Sequence, residues 1–543
     1  MSDRPQTMPP YALLGRIVTM DDAAQVIRKG AIYIRDGRIV EVAAADQPAP
    51  AGFENCLRLN TRGTIYPGLI ELHNHLSYNI LPLWNVPKKY SNRAQWIGAV
   101  GKQQFISGPM QLLNAAGGYL GAIIRYVEAK CLLAGVTTSQ GLTLMNASGI
   151  EKKYRGVVRN AEEPDDATLP KSGHRIADVD PDDLDSFLAM LKRQKGCYLL
   201  HLSEGVDERA RQHFLNLQFA DQSGWAITDV LAGIHAAGLQ AEDFAILQQG
   251  RGAIIWSPLS NLLLYGETAQ VQAAKQNQVP IALGSDWSPS GSKNLLGELK
   301  VAKLYSQMRG NLFTDLELVR MATSTPAKIL RWGHALGTIE PSKLADLFVV
   351  SGQRGDPYRK LIASTEADIQ LVVIGGIPRY GTLDLMQRLG QEGEAWQVDG
   401  QERLLNLDGA PDADVSAMTL KEAVDALTTG LARLPNPPAL QTPVIGAAFD
   451  AEFGDAEPAM PWRLALDNDG DEAHASRFLA PLTTAEVIGE MWAAAVDLRQ
   501  LVTSLDLDEL TVADNPQKYL EQLAQQANLP AQIKNGLPAL YGL

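Results

Sequence analysis

The chain has 543 residues, too many for one compact core, so two or three domains are expected. An apolar fraction of 45% with 20% charged residues is that of an ordinary globular protein, and a net charge of −14 excludes the attraction that nucleic acid or an anionic membrane surface requires. Cys56, Cys131 and Cys197 are scattered and odd in number, which predicts a reducing, cytoplasmic setting and no disulfide framework. No run of about 18 apolar residues predicts a transmembrane helix. The opening Met1–Gln6 lacks the basic start and apolar stretch of a secretory signal.

Residues 11 to 66 read as short strands, and Ala31–Val42 is two apolar runs joined by Asp36-Gly37, a strong hairpin signal. From Pro67 to about Gly333 strands alternate with helical stretches, which predicts a parallel α/β fold. Strands are expected at Leu69–His73, Val136–Gln140, Gly156–Arg159, Tyr198–His201, Leu231–His235, Ala253–Trp256 and Pro280–Gly284, with a weaker Arg175–Val179 completing eight. Eight strands over this length suit a TIM-like (β/α)8 barrel, residues 67–334. Strands return at Gly337–Glu340, Asp346–Val350 and Gln370–Ile374, the last followed by a Gly375-Gly376 turn. These should join the N-terminal strands in a small composite β-sandwich domain, residues 1–66 plus 335–405. Residues 406–543 read as a helical extension, with Leu420–Leu434 and Thr484–Leu505 separated by the Pro-rich stretch Pro435–Pro438.

The chemistry sits at the strand ends. Side chains at i and i+2 of a strand share a face, so His73 and His75 present two imidazoles together. His201 ends a later strand with Glu204 three residues on, His235 ends the next, and Asp286 ends the last. Active sites of such barrels lie at this face. Four histidines and an aspartate on successive strand ends can converge on one point, a ligand set for a divalent cation with room for a water.

In number and order these residues resemble the metal motif of the metal-dependent amidohydrolase superfamily, over roughly residues 11 to 405. Trp256–Asn261 and Gly337–Leu347 match as flanking segments. The His201…Glu204 spacing resembles the mononuclear branch that holds cytosine, guanine and adenosine-type deaminases and the chloro-triazine hydrolases. The resemblance implies that His73, His75, His201 and Asp286 bind one divalent metal, zinc first, with iron or manganese as the alternatives. It implies that His235 hydrogen-bonds the metal-bound water or the developing oxyanion, that Glu204 shuttles the proton, and that Asp286 serves in catalysis as well as ligation. The expected reaction is attack of metal-bound hydroxide on an sp² carbon, most simply hydrolytic deamination of a nitrogen-containing aromatic or hydrophobic small molecule. Amide or cyclic-amide hydrolysis by the same site is the alternative chemistry, and a scaffold protein the alternative class, against which a complete ligand set argues. Superfamily members are often homo-oligomers.

Members with two metals bridge them by a carboxylated lysine, and Lys152, Lys153 and Lys171 are not well placed for it, so one metal is expected. Glu204 could instead cap a helix. His174, His213, His334 and His474 fit no strand-end pattern and read as solvated or structural. The loop after the first strand is aromatic, with Tyr78, Trp84, Tyr90 and Trp96. Tyr78, Trp84 and Trp287 are candidates for a substrate wall, a satellite core under the loop being the other reading of those in the loop. Ser288–Ser292 offers hydroxyls near the metal, or is only a turn.

Overall fold

The structure is a computed structural model that describes residues 8–146, 149–440, 462–466 and 498–543. Strands from both flanks of the chain build one nine-stranded sheet. At its centre Leu57–Pro67 lies parallel to Tyr11–Val18 and antiparallel to Leu347–Ser351, with Tyr66 opposite Phe348. The Asp36-Gly37 hairpin forms as expected, pairing Arg35 with Arg38. Both turn residues have positive φ, 51° and 75°, the geometry that matches the twist of a two-residue hairpin. A second tight turn at Gly375-Gly376 stands against it, and Ala345 bonds to both through Gly37 O and Gly376 N. The stretch Gly337–Glu340, expected as a strand, is a turn instead: Gly337 has φ 84°, and Thr338, Glu340 and Lys343 hydrogen-bond among themselves.

The middle of the chain is a TIM-barrel-like α/β unit with eight parallel strands, six of them at their expected places. Leu69–Glu71, Val136–Ser139 and Arg159–Asn160 form one parallel sheet, and Gly173–Arg175, Tyr198–Leu202, Leu231–His235, Ala253–Trp256 and Ile281–Leu283 another. The sheets meet at two seams, by a bridge between Asn74 and Asp286 and by Ser172 N bonding Ala161 O at 3.1 Å. Ile70, Leu72, Leu199, Ala232, Ile234, Ile255 and Ala282 make one apolar cluster, while the alternate residues Leu200, Leu202, Leu231, Ile254 and Leu283 join the cluster shared with the helices.

The third and fourth strands are displaced from their expected positions for local reasons. Val158 N–H, which would begin the third strand earlier, donates to the buried Glu128 carboxylate at 3.3 Å. The Arg175 guanidinium folds forward onto the carbonyls of Ala177 and Asp178, ending the fourth where it was expected to start.

Helix Tyr119–Leu133 is buried along its whole length, and its charged residues Arg125, Glu128 and Lys130 each meet a polar partner there. Helix Leu420–Ala432 packs on it, and Ala531–Leu540 packs on Leu295–Met308, so the C-terminal region is part of the same body. Of the helix expected at Thr484–Leu505, positions 484–497 lie outside the described residues, and the remainder is helical only to 501. Among the described residues no helix is long and apolar enough to cross a membrane.

A Cβ on Gly37 would lie 2.9 Å from Gly375 O, at a φ of 75°. Gly37→Ala is therefore expected to cost more than about 1 kcal/mol, seen as a lower thermal unfolding midpoint. An unchanged midpoint would show that the two turns do not pack as described.

Candidate active site

His73, His75, His201 and His235 arrive from four points on three strand ends and converge. The His73 ring centroid lies 5.0 Å from His75, 4.8 Å from His201 and 5.0 Å from His235. Asp286 Oδ1 stands 3.2 Å from His73 Nε2 and 3.6 Å from His75 Nε2. Two overlapping ligand groups result, His73-His75-His201 and His73-His235-Asp286, each with ligand atoms within 4.8 Å of one another. The backbone is bent to achieve this. His235 has φ 66° and Asp286 φ 67°, left-handed conformations that non-glycine residues adopt at a cost and that cluster at functional sites.

The site is largely buried, and burial disfavours the charged form of two of its imidazoles. Burial, and then the neighbouring imidazoles, hold His201 well below the usual histidine range. Burial likewise lowers His73, partly offset by Asp286. Burial alone would raise the Asp286 carboxyl, but the facing imidazoles outweigh it and keep it ionised. His73 Nε2 and His201 Nδ1 are buried without a hydrogen bond, and although His73 Nε2 is 3.2 Å from Asp286 Oδ1, the two do not meet with hydrogen-bond geometry. Buried polar nitrogens without partners are rare in proteins. Neutral imidazoles with open lone pairs beside a carboxylate are what a divalent ion of borderline softness requires, so this donor set fits a metal.

Neighbouring side chains orient the cluster. Gln140 Oε1 accepts from Asn74 N at 3.3 Å and faces His73 Nδ1 at 3.4 Å, which places the ring proton on Nδ1 and leaves Nε2 open. Thr268 Oγ1 accepts from Trp256 Nε1 at 2.8 Å and from Asn261 Nδ2 at 3.0 Å. The Asn261 amide is thereby turned so that its oxygen meets His235 Nδ1 at 3.0 Å, and His235 Nε2 faces the site. Ser260 Oγ donates to Asp286 Oδ2 at 2.5 Å.

Glu204 is buried in this cluster and caps no helix. Helix Glu208–Leu215 is capped by Asp207, which accepts from Ala210 N. Glu204 Oε1 accepts from Tyr265 Oη at 2.8 Å, and Tyr265 Oη in turn accepts from Trp96 Nε1 at 2.8 Å. Its Oε2 lies 3.7 Å from His235 Nε2 and 3.9 Å from Arg93 Nη1.

The aromatic candidates divide. Trp287 packs on His75 at 5.3 Å, Tyr78 at 5.2 Å and Trp96 at 6.1 Å between ring centroids. Trp84 stacks instead on Tyr90 at 6.4 Å and lines a different cavity of about 500 Å³ with Phe105, Lys293 and Tyr519. His174, read from sequence as solvated or structural, meets Glu162 at 2.8 Å and lines a cavity of about 30 Å³ that also touches His75 and Gln140. Burial raises Glu162, but His174 and Lys153 outweigh it and bring its carboxyl to about 2. Lys153 is thus engaged by Glu162, Lys152 by Asp412 and Lys171 by Glu163. His213 pairs with Asp178, and His474 lies outside the described residues. Ser260 and Asn261 were visible only as part of a flanking segment, and Gln140 only as a strand end. Tyr265 carried no signal at all.

Residues 202–378 match the model of the amidohydrolase family. The chain carries an amidohydrolase-family domain. Glu204, His235 and Asp286 fall within the matched span. A 5-methylthioadenosine/S-adenosylhomocysteine deaminase of Clostridium tetani is 23% identical over 392 residues, 66% of this chain and 91% of that protein. A zinc-bound adenosine deaminase of Xanthomonas campestris superposes with a TM-score of 0.52 at 16% identity, over 69% of this chain and 94% of that one. A mutant atrazine chlorohydrolase of Arthrobacter aurescens, complexed with zinc and atraton, gives 0.55 at 19% identity, over 68% and 94%. The two structures establish likeness of fold alone.

Because Ser260 fixes one oxygen of Asp286, Ser260→Ala is expected to weaken divalent-metal affinity by about 10- to 100-fold, read by chelator competition. Wild-type affinity in that variant would remove Ser260 from the support of the carboxylate.

Proposed function

We propose that the protein is a hydrolytic deaminase of an amino-substituted nitrogen heterocycle, working with one divalent ion, zinc by preference. The observation that carries this reading is the convergence of His73, His75 and His201, and of His73, His235 and Asp286, beside the buried carboxylate Glu204. A scaffold has no physical use for such an arrangement. The deaminase relative and the fold likenesses agree with it.

His73, His75, His201 and Asp286 would hold the ion. A divalent ion supplies Lewis acidity, which can bring the pKa of water from 15.7 to about 7. The remaining work falls to the chain. Glu204 Oε1 is occupied by the Tyr265 hydroxyl, so Oε2, facing His235, takes the proton of the attacking water. The water oxygen bonds to the substrate's sp² carbon, and the same carboxyl returns the proton to the departing nitrogen as the C–N bond breaks and ammonia leaves. His235, with Nδ1 committed to Asn261, turns Nε2 to the reacting atoms. Tyr78 and Trp287 flank His75 and offer planar apolar surface to a heterocycle. The space beside His75, about 30 Å³, suits a water but not a drug-sized ligand, whose pockets run to several hundred Å³.

The same reading takes residues 67–334 as a closed (β/α)8 barrel, 1–66 with 335–405 as the flanking β domain, and 406–543 as the C-terminal extension.

Purified protein is expected to carry about one divalent ion per chain, and His73→Ala to lose it together with activity. Two ions per chain, with activity dependent on bicarbonate, would replace the mononuclear reading. Glu204→Gln keeps the shape of the side chain but cannot take a proton. It should retain the ion while turnover falls by about 10²- to 10⁴-fold, followed as ammonia release from aminopurine nucleosides and amino-triazines. Near-wild-type turnover would assign the proton transfer elsewhere, and a metal-replete enzyme that cleaves amides but releases no ammonia from this panel would overturn the deaminase reading.

A further inference from the structure

Two lysines are buried behind the site, and neither is paired within its own neighbourhood of the chain. Lys130 lies on helix Tyr119–Leu133, and Lys293 follows the loop that carries Asp286. Their side chains are only 3% and 7% exposed. The carboxylate that pairs them comes from the far end of the sequence. Asp508 accepts from Lys130 Nζ at 2.5 Å through one oxygen and from Lys293 Nζ through the other. Its own backbone is also bonded, N–H to Ile80 O at 2.9 Å and carbonyl to the Tyr126 hydroxyl. Burial lowers Lys293 to about 8, partly offset by Asp508. Without Asp508 the two ammonium groups would be uncompensated in a dry interior.

Lys130 spends its other protons on the site's loops. Nζ donates to Asn79 O and to Ser288 Oγ, each at 3.0 Å. Asn79 Oδ1 accepts from Ser288 N at 2.7 Å, and Asn79 Nδ2 donates to Asn74 Oδ1 at 2.9 Å. Asn74 Nδ2 donates to Ser285 Oγ at 3.1 Å, and the next residue, His75, donates its N–H to Asp286 O at 2.7 Å. An unbroken hydrogen-bonded chain thus joins Asp508 to the segments that present His75 and Asp286.

We propose that Asp508 is a positioning residue for the metal site, through which the C-terminal segment sets the two loops carrying His75 and Asp286. The proposal rests on the metal-site reading above and gives the extension a role in the chemistry of the domain. A clip that served stability alone would need no link from Lys130 to both loops.

The test loads full-length protein with zinc and follows its release to a colorimetric chelator. Asp508→Asn keeps the side-chain shape but removes the charge, and release should quicken by about 10- to 100-fold, the usual effect of losing a residue that supports a ligand. Ser288→Ala is a small buried change that unseats one acceptor of Lys130. It should quicken release in the same direction and add little on top of Asp508→Asn, because the two act along one path. Leu537→Ala loosens the last helix without touching the network, and should lower the thermal midpoint while leaving release at the wild-type rate. Wild-type release from Ser288→Ala, or from folded Asp508→Asn, overturns the proposal, as does release from Leu537→Ala as fast as from Asp508→Asn. Wild-type protein that binds no zinc overturns the metal-site reading as well, whereas tight zinc in all variants sinks only the role of Asp508.

Discussion

The structure depends on holding four imidazoles and a carboxylate together in a largely buried cluster. Each of these groups would be better solvated in the unfolded chain, and gathering them sets their lone pairs against one another. The cluster is possible because the parallel strands fix the positions of their ends and the surrounding apolar layers resist relaxation. Even so, the frame is locally deformed: the backbone turns left-handed at His235 and Asp286, the two points where a side chain must be swung inward from a strand end.

Around that cluster the polar groups form a hierarchy in which each member fixes the next. Trp256 and Thr268 fix the Asn261 amide, which fixes the tautomer of His235. Tyr265 occupies one oxygen of Glu204 and leaves the other to react. Trp96 bonds the same tyrosine, so the segment after the first strand and the Glu204 carboxylate share one hydrogen-bond partner.

What could be read from sequence were the features with a local signature. Histidines at the ends of apolar strands and the Asp-Gly hairpin announce themselves within a few residues, and all stand where the pattern put them. The third and fourth strands are two and three residues long, with too little periodicity to locate. Their neighbours Glu162 and His174 were accordingly missed. Trp84 and Trp287 have equal claims as exposed-loop aromatics in sequence, yet only Trp287 sits against the histidines, because which loop residues turn inward depends on partners far away in the chain. The role of Asp508 had no local signal of any kind. An aspartate among other acidic residues near a C-terminus looks solvated until the two lysines it meets are seen.

Helix Tyr119–Leu133 carries a consequence for how the protein is made. Its covering partners lie hundreds of residues later: the Tyr126 hydroxyl bonds a residue 382 positions on, and the nearby Trp84 carbonyl one 442 positions on. At synthesis rates of about 5–20 residues per second, those partners emerge roughly 20–90 s after the helix does. During that interval the helix, most of whose residues are apolar, lacks the later partners that complete its burial, and Lys130 lacks its counter-ion. The nascent protein therefore presents a long-lived sticky surface on the ribosome. Its yield in a cell should depend on translation speed and chaperone supply far more than its stability, once folded, would suggest.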